Sequence, residues 1–260
     1  MFQYAFGQAL GQDTLYDVLW FERAKLGKTT DRPFCLDVFN IPDTAFIKFR
    51  KPFFLLKLFG KYCKERDNNI FHADFLKPRH GINYFSGYFQ NECYLNPVKD
   101  RLFEHFTLKN PVNKENFELL NQIRNCNSVS IHIRRGDYVQ LASHLCTIEY
   151  YNAAMKLMES RVRAPLHYFL FSDDIEWCRN NIKTDMPLTI VNINSAENGY
   201  LDMELMKNCK HSIIANSSFS WMAAYLNRNP DKIVIYPKVW LMDNGKPTGN
   251  IGISKEWINA

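Results

Sequence analysis

The sequence lacks the features that would assign it to several specialised classes of protein. Its 260 residues include only 11 glycines and 11 prolines, with no internal repeat, which excludes fibrous and low-complexity chains. No apolar run approaches the ~20 residues that cross a bilayer. No basic segment followed by an apolar one marks a signal peptide at the N-terminus. We therefore expect a protein that is soluble or at most peripheral to a membrane.

Cysteine pairs and a strong charge of one sign are also missing. The seven cysteines are scattered, odd in number and never spaced as Cys-x-x-Cys, which predicts neither a disulfide framework nor a zinc site and favours a reducing cytoplasm. The net charge of +5 is smaller than nucleic-acid-binding proteins usually carry. It is compatible with a small anionic ligand.

What the sequence does contain indicates a packed α/β protein. Hydrophobic residues make up 46% and aromatic residues 15%, enough to fill a substantial core. From residue 128 onward short apolar strands alternate with helices, which predicts a parallel, doubly wound sheet of the kind that binds nucleotides. The predicted strands are 128–134, 167–172, 188–191, 211–216 and 232–237, and the predicted helices are 147–162, 175–180, 200–207 and 218–227.

The first half of the chain is less regular. Its pattern predicts strands at 34–39 and 84–90 and helices at 1–11, 95–107 and 113–125, with a domain boundary near residue 126. A basic, aromatic stretch runs from Lys48 to Arg66. We interpret it as a helix with its apolar face packed inward, although a helix lying on an anionic membrane surface is an alternative.

The sequence His-Ile-Arg-Arg-Gly-Asp-Tyr at 132–138 places two arginines where a predicted strand ends. Adjacent guanidinium groups repel each other unless an anion joins them, and their fork geometry matches phosphate oxygens. The alternative is that Arg134 and Arg135 form structural salt bridges, for instance to Asp137 or Asp173. The phosphate interpretation is favoured because ligands bind at the carboxyl ends of parallel strands.

The sequence Phe-Ser-Asp-Asp at 171–174 closes the next predicted strand. A carboxylate there can accept hydrogen bonds from ribose hydroxyls or a purine amino group, or it can cap the helix that follows. Both interpretations stay open for Asp173 and Asp174. Two adjacent acids also raise the possibility of a divalent metal, but no third ligand is apparent in the sequence.

Hydroxyl side chains cluster at a third strand end, in Asn-Ser-Ser-Phe-Ser-Trp at 216–221. Free backbone N–H groups and the positive end of the helix dipole make a helix start a phosphate site. Capping requires only one of the hydroxyls. Spacing alone therefore predicts a nucleotide diphosphate held between Arg134/Arg135 and the helix start at 217–220. It reveals neither the nucleotide nor its use.

These segments resemble the bacterial α-1,2-fucosyltransferases of glycosyltransferase family 11. The Arg-Arg and Asn-Ser-Ser motifs are specific only in combination, and the matches follow the family order along essentially the whole chain. The matching segments are Met-Phe-Gln-Tyr-Ala-Phe-Gly at 1–7, Gly-Tyr-Phe-Gln at 87–90, 132–138, 171–174, 209–221 and 233–240.

The resemblance implies a GT-B type α/β fold with two Rossmann-like domains, an acceptor-side domain at 1–126 and a GDP-sugar-binding domain at 127–260. It implies GDP-β-L-fucose as donor substrate, with no cofactor and no metal. Fucose would be transferred with inversion to the 2-hydroxyl of a galactose-type acceptor, a surface glycan or a lipid-linked oligosaccharide. The protein would be cytoplasmic, with at most peripheral contact at the inner membrane and no nucleic-acid partner.

The resemblance also implies roles for single residues. Arg134 and Arg135 would neutralise the diphosphate, and His132 and Asp173 would face the guanosine. Asp137 is our hypothesis for the general base, because it is the carboxylate nearest in sequence to the phosphate site. The implied donor-binding set is His132, Arg134, Arg135, Asp173, Asp174, Asn216, Ser217, Ser218 and Phe219.

The sequence departs from the family at its N-terminus. Family members begin with a strand and a Gly-Gly-Leu-Gly-Asn-Gln turn directly before the segment that occupies 1–7 here. We therefore expect an N-terminal domain that lacks its first strand and its glycine-rich turn. The alternatives are an active fucosyltransferase, a truncated, non-catalytic remnant that still binds GDP, and a transferase that uses another GDP-sugar.

Overall fold

A computed structural model describes residues 1–11, 13–19, 21, 34–48, 60–65, 70–77, 80–139, 145–243, 246–249 and 253–260. These residues form two compact units. The first comprises Met1–Asn110 and Ile251–Ile253, and the second comprises Pro111–Asn250 and Ser254–Ala260.

The first unit combines short helices with two pairs of parallel strands. Strand β1 pairs with β2, and β3 pairs with β4. Single 3-10 turns occupy Leu36–Val38, Asp43–Ala45, Ala73–Leu76 and Asn96–Val98. The helices and strands are α1 (Phe2–Leu10), β1 (Tyr16–Asp17), β2 (Phe46–Ile47), β3 (Gly60–Lys64), β4 (Ile82–Ser86), α2 (Glu92–Leu95) and α3 (Lys99–His105).

Helix α1 organises an aromatic core in this unit. Phe6 is buried, and its ring stacks on that of Phe89 with 3.9 Å between centroids. Tyr4 is also buried and donates or accepts a 2.6 Å hydrogen bond with Nδ1 of His105. Gly7 leaves room for the ring of Tyr16, which a Cβ at this position would meet. The apolar motif at 1–7 is therefore core-forming in the described part of the chain.

The second unit contains the predicted parallel sheet. Six strands lie in the order β12-β9-β8-β5-β6-β7, and all pairs are parallel, which confirms the α/β class predicted from the alternation. Strands β10 and β11 form a separate antiparallel pair. The elements are α4 (Lys114–Arg124), β5 (Ser128–Ile133), α5 (Ile148–Arg161), β6 (His167–Ser172), α6 (Ile175–Asn181), β7 (Leu188–Val191), α7 (Gly199–Asn208), β8 (His211–Ile213), α8 (Ser218–Leu226), β9 (Val234–Tyr236), β10 (Leu241–Asp243), β11 (Lys246–Gly249) and β12 (Ile258–Asn259).

Strand β5 is central and buried along its whole length. Val129, Ile131 and Ile133 pack into the core cluster that α5 covers. Among the polar residues of the strand, Ser130 donates to the Ser212 hydroxyl of β8 at 3.1 Å. Neighbouring strands thus satisfy a hydroxyl that would otherwise be costly to bury.

Three predictions for the first half of the chain are wrong in detail. The strand expected at 34–39 is a 3-10 turn at Leu36–Val38, and Phe39 after it forms an isolated antiparallel bridge with Leu108 in place of a strand ladder. The helix expected at 95–107 is interrupted at Asn96–Val98, where Pro97 supplies no backbone N–H. The strand expected at 84–90 is β4, which ends before the tight turn at Gly87.

The basic stretch from Lys48 to Arg66 is only partly described. Its residues 49–59 and 66 lie outside the described chain, so the choice between packed and membrane-bound helix stays open there. Residues 60–64 are strand β3, which corrects the helix prediction for that end. The partner is β4, with Tyr62 opposite Tyr84, a pairing of aromatic residues that favours a strand.

The compact units divide earlier than the boundary predicted at residue 126. Helix α4 belongs to the second unit because its side chains form hydrogen bonds with residues of that unit. Arg124 donates to the Asn208 side chain of α7 at 2.8 Å, and Asn116 donates to Asn194 at 2.8 Å. The acceptor-side and GDP-binding roles of the two parts stay predictions. Among the described residues, no helix has the length and apolar character to cross a membrane.

Candidate active site

The three polar motifs of the second unit meet at one edge of the sheet. Strands β8, β5 and β6 are adjacent and parallel, so the residues that follow them leave the same edge. The ring of His132 lies 5.5 Å from that of Phe219, between centroids. Tyr138 donates from its hydroxyl to the Asn216 carbonyl at 3.4 Å. The arginine motif and the Asn-Ser-Ser motif are therefore in contact.

Arg134 is paired with Asp173. Its Nη1 lies 2.7 Å from Oδ2 of the aspartate. The other oxygen of Asp173 accepts the backbone N–H of Arg135 at 2.8 Å. One carboxylate thereby fixes both arginine positions, and a guanosine contact by Asp173 would have to share oxygens that are already engaged. Arg134 therefore forms the salt bridge to Asp173 that is the alternative to a role in phosphate binding alone.

Arg135 is paired with Asp174 in the same way. Its Nε donates to Oδ2 of Asp174 at 3.0 Å, while Oδ1 accepts the backbone N–H of Trp177 at 3.1 Å and so caps helix α6. The hydrogen bond from Arg135 holds the pKa of Asp174 below its ordinary value, although partial desolvation opposes it. Asp174 therefore caps the helix and binds the arginine at once, and the two interpretations of the sequence are compatible.

Gly136 separates the arginines from Asp137 and allows the backbone to approach the Asp173 carboxylate closely. A Cβ at this position would lie 2.5 Å from Oδ2 of Asp173, so a larger residue would push the carboxylate away from Arg134. Asp137 begins the 3-10 turn Asp137–Val139, but its side chain lies outside the described part of the chain. The general-base hypothesis for Asp137 stays a prediction.

His132 is buried at the end of β5 with an exposed fraction of 6%. Its Nδ1 has no hydrogen-bond partner among the described residues. Burial lowers the pKa of His132 to about 4, against the opposing effect of Asp173, and Arg134 lowers it further. The imidazole is therefore neutral near pH 7 and offers one donor and one acceptor nitrogen.

The start of α8 uses most of its polar groups internally. The Ser217 hydroxyl caps the helix by accepting the Phe219 N–H at 3.4 Å, and the Ser220 hydroxyl bonds back to the Ala215 carbonyl. Ser218 is partly exposed, and its hydroxyl has no partner within the described ranges. Ser218 is thus the more exposed hydroxyl that remains for a ligand, and the Ser217 hydroxyl, which accepts in the cap, still has its O–H to donate.

Asn216 positions the loop before α8. Its Nδ2 donates to the Trp240 carbonyl at 3.1 Å, and its Oδ1 accepts from the Cys146 thiol at 3.3 Å. Burial raises the pKa of that thiol to about 11, so it remains protonated and can keep donating. The Asn216 side chain therefore fixes the loop through hydrogen bonds of both its amide nitrogen and its amide oxygen.

Comparison with known proteins identifies the family of the chain that contains this site. The family model described as "Glycosyl transferase family 11" matches residues 40–259. The chain belongs to glycosyltransferase family 11. The match includes all three motifs of the site, so the resemblance noted from the sequence is confirmed. Helix α1 and the motif at 1–7 lie outside the matched residues.

This family 11 chain is similar to glycosyltransferases of bacteria and mammals. It is 37% identical over 261 residues to an alpha-1,2-colitosyltransferase of Escherichia coli, covering 92% of this chain and 88% of that protein. It is 31% identical to the O-antigen biosynthesis glycosyltransferase WbnK of Escherichia coli, covering 82% and 74%. It is 27% identical to galactoside alpha-(1,2)-fucosyltransferase 1 of Homo sapiens, covering 54% and 42%. No solved structure matches the chain.

Two residues that contact the site belong to none of the sequence motifs. The Trp177 ring lies against Arg135, and the Cys146 thiol donates to Asn216. Tyr138 and Trp240 also contact site residues, and they are the last residues of the matching segments 132–138 and 233–240. One signal was available for Trp177. A residue three positions after a helix N-cap donates its N–H to that cap, which places it beside Asp174.

Proposed function

We propose that this family 11 chain transfers L-fucose from GDP-β-L-fucose to the 2-hydroxyl of a galactose-type acceptor, with inversion. The observation that carries the proposal is the contact between the arginine motif and the start of α8 at one sheet edge. Parallel sheets bind their ligands at this edge. Family membership implies a nucleotide-sugar donor and a glycan acceptor.

In this proposal the donor diphosphate lies between two arginines and a helix start. Arg134 and Arg135 supply charged donors, and the first turn of α8 at Ser218 supplies backbone N–H groups and a hydroxyl. Negative charge grows on the departing GDP in the transition state, so these fixed donors accelerate the reaction as well as bind the substrate. They provide the role that a metal ion would otherwise fill.

The guanosine would lie near His132, Asp173 and Asp174. Support comes from the buried Nδ1 of His132, a neutral hydrogen-bonding nitrogen that lacks a partner among the described residues. Such a group is stabilised when a ligand satisfies it. Because both oxygens of Asp173 already bind the arginine segment, we assign Asp173 first to holding Arg134 and second to the nucleoside.

The acceptor hydroxyl must lose a proton, and we propose Asp137 as the general base. The support is its place in the chain, two residues after Arg135. Asp137→Asn should reduce turnover by at least about a hundredfold while leaving GDP affinity unchanged, because general-base catalysis contributes on this scale. Unchanged turnover would remove Asp137 from the mechanism.

A second donor is favoured by one relative. The relative that is 37% identical over 92% of this chain is named an alpha-1,2-colitosyltransferase. Colitose is the 3-deoxy counterpart of fucose, so a site that accepts one sugar differs from a site for the other by the contacts to a single hydroxyl. The donor GDP-colitose is therefore the alternative to GDP-fucose.

The test is an assay with lactose as acceptor and either GDP-fucose or GDP-colitose as donor, with GDP release and product linkage measured. A fucosylated 2-linked product supports the proposal, and a product from GDP-colitose alone supports the alternative. GDP binding without turnover of either donor would favour a non-catalytic remnant.

A companion variant tests the diphosphate site. Arg134→Ala should weaken GDP binding by about ten- to a hundredfold, the range for losing a charge-assisted hydrogen bond. The matched control is Arg179→Ala, an exposed arginine on α6. Full GDP affinity in Arg134→Ala would overturn the assignment.

A further inference from the structure

Trp177 lies against one of the two arginines of the site. The centre of the Arg135 guanidinium is 4.1 Å from the centroid of the Trp177 ring. This distance is well inside the ~6 Å limit for a cation–π contact, and tryptophan is the aromatic residue that binds cations most strongly. The side chain of Arg135 is only 18% exposed, so the contact is largely shielded from water.

The same helix turn holds both sides of this arginine. Asp174 accepts the Trp177 N–H with Oδ1 and the Arg135 Nε–H with Oδ2. The cap therefore fixes the backbone of Trp177 relative to the carboxylate that binds the arginine. Ring and carboxylate approach the guanidinium from one rigid element, α6.

These contacts leave a defined part of the guanidinium for a ligand. Nε is committed to Asp174, and one face of the group is covered by Trp177. The two Nη groups of Arg135 have no partner among the described residues. An arginine held in this way presents two parallel N–H donors, the arrangement that matches phosphate oxygens.

Arg134 has a looser version of the same support. Asp173 binds its Nη1, and its guanidinium lies 5.6 Å from the Tyr138 ring. The tighter aromatic contact is thus on Arg135. Trp177 is the ring whose removal should matter most for the orientation of an arginine at this edge.

We infer that Trp177 is a positioning residue for donor binding, which holds the guanidinium of Arg135 in the orientation that receives the diphosphate. The inference rests on the proposed function. A long arginine side chain loses rotational freedom when it binds an anion, and fixing it beforehand reduces this loss. Trp177 thereby strengthens GDP binding without touching GDP.

A purely structural role for Trp177 makes a different prediction. The residue is partly buried at the margin of the core cluster, where any apolar side chain of suitable size would fill space. Among side chains that could fill this space, only one with an aromatic face would attract the cation. Packing and positioning can therefore be separated by side chains that differ in aromaticity.

The experiment measures GDP affinity by titration calorimetry in Trp177→Leu and Trp177→Phe, with thermal unfolding of each variant as the measure of folding. Trp177→Leu should bind GDP about five- to tenfold more weakly, and Trp177→Phe should remain within about threefold of the parent. In an Arg135→Gln background, Trp177→Leu should change GDP affinity less than about twofold, because the cation it acts on is gone.

A second measurement covers the case in which Trp177→Leu does not fold. Replacing the tryptophans by fluorinated tryptophan keeps their shape but withdraws charge from the ring faces. GDP affinity should then fall in the parent chain and stay unchanged in Trp177→Phe. Affinity unchanged in both would overturn the inference.

The outcomes also separate this inference from the proposed function. If the parent chain does not bind GDP, the proposed function fails and the inference fails with it. If the parent binds GDP and Trp177→Leu binds it equally well, the inference alone is overturned. An equal loss of affinity from Trp177→Leu in the presence and absence of Arg135 would show that the tryptophan acts through packing, and it would also overturn the inference.

Discussion

At the scale of single residues, the arginine site is electrically balanced before any ligand arrives. Arg134 and Arg135 each have an aspartate partner, at 2.7 and 3.0 Å. A diphosphate therefore does not enter a site of large net positive charge. Recognition must depend on the orientation of N–H groups that the aspartates leave available, which is why the residues that fix this orientation matter as much as the arginines.

A partly buried acid, Asp202, lies away from this site, and its titration yields a prediction. Asp202 near the start of α7 accepts a 2.7 Å hydrogen bond from Asn194, whose Nδ2 also donates to Asn116. Burial raises the pKa of Asp202 from 3.8 to about 6, although the bond from Asn194 opposes this shift. The folded state holds the proton more tightly than the unfolded state, so stability falls as pH rises from about 4 to about 6.

Replacing this acid should stabilise the protein at neutral pH. Asp202→Asn keeps an acceptor for Asn194 and removes the buried charge, so its free energy of unfolding at pH 7 should exceed that of the parent by about 1–3 kcal/mol. The difference should shrink below pH 4, where Asp202 is neutral in both states. Thermal unfolding across pH measures it, with the exposed Asp185→Asn as control. A pH-independent difference would contradict the argument.

At the scale of elements, the turn after β4 is built around a buried carboxylate. Glu65 is 3% exposed, and its Oε2 accepts the N–H groups of Tyr88 and Phe89 at 2.7 and 2.9 Å. Phe89 has a positive φ of 54°, a conformation that costs energy for a residue with a Cβ. The carboxylate stabilises this strained turn and so sets where α2 begins.

Gly87 allows that approach and should not tolerate a side chain. A Cβ there would lie 2.5 Å from the Glu65 Cβ and 2.6 Å from its Oε2. Gly87→Ala should lower the unfolding free energy by about 2–4 kcal/mol, the scale of overpacking with a broken buried hydrogen bond. Gly199→Ala is the matched control, since nothing lies within 4 Å of its added Cβ. Equal unfolding midpoints for the two variants would refute the packing argument.

The elements differ in how well the sequence predicts them. In the second unit, strands and helices alternate as the sequence predicts. The reason is that its strands are apolar and its helices begin at capping residues such as Thr147 and Ser217. Strand β12 has two residues and exists only because Ile258 pairs with Ile235. No local pattern marks such a strand. The 3-10 turn at Leu36–Val38 could not be predicted for the same reason, since it leads into the bridge between Phe39 and Leu108, a residue distant in the sequence.

The positions of the candidate site residues in the fold could be predicted from the sequence, but many of the contacts between these residues could not. Topology alone brings the ends of β5, β6 and β8 together, so the three motifs could be assigned to one edge from the alternation of strands. The engagement of both Asp173 oxygens, and the bond between Cys146 and Asn216, depend on loop geometry that sequence spacing does not encode.

At the scale of the whole molecule, a bound nucleotide should leave a defined footprint. Amide hydrogen exchange with and without GDP should slow at the segments that follow β5, β6 and β8, namely 134–138, 173–177 and 216–219. A ligand that binds only the folded state suppresses local opening where it binds. The pair of β9 and β12, which continues the sheet beyond β8, is the internal reference.

The pattern of protection decides between the assigned edge and another site. Protection at these three segments that disappears in Arg134→Ala agrees with the proposed diphosphate site. Protection by GDP confined to β9 and β12 would contradict it.

The position of β5 in the sheet also bears on how the protein is made. It is the first strand of the second unit to be synthesised, yet it lies between β6 and β8, and its partner Ser212 follows Ser130 by 82 residues. At typical translation speeds of about 5–20 residues per second, the β8 side of β5 stays uncovered on the ribosome for roughly 4–16 s. That apolar edge is where we expect chaperones to bind the nascent chain and where aggregation would begin when synthesis is fast and chaperones are scarce.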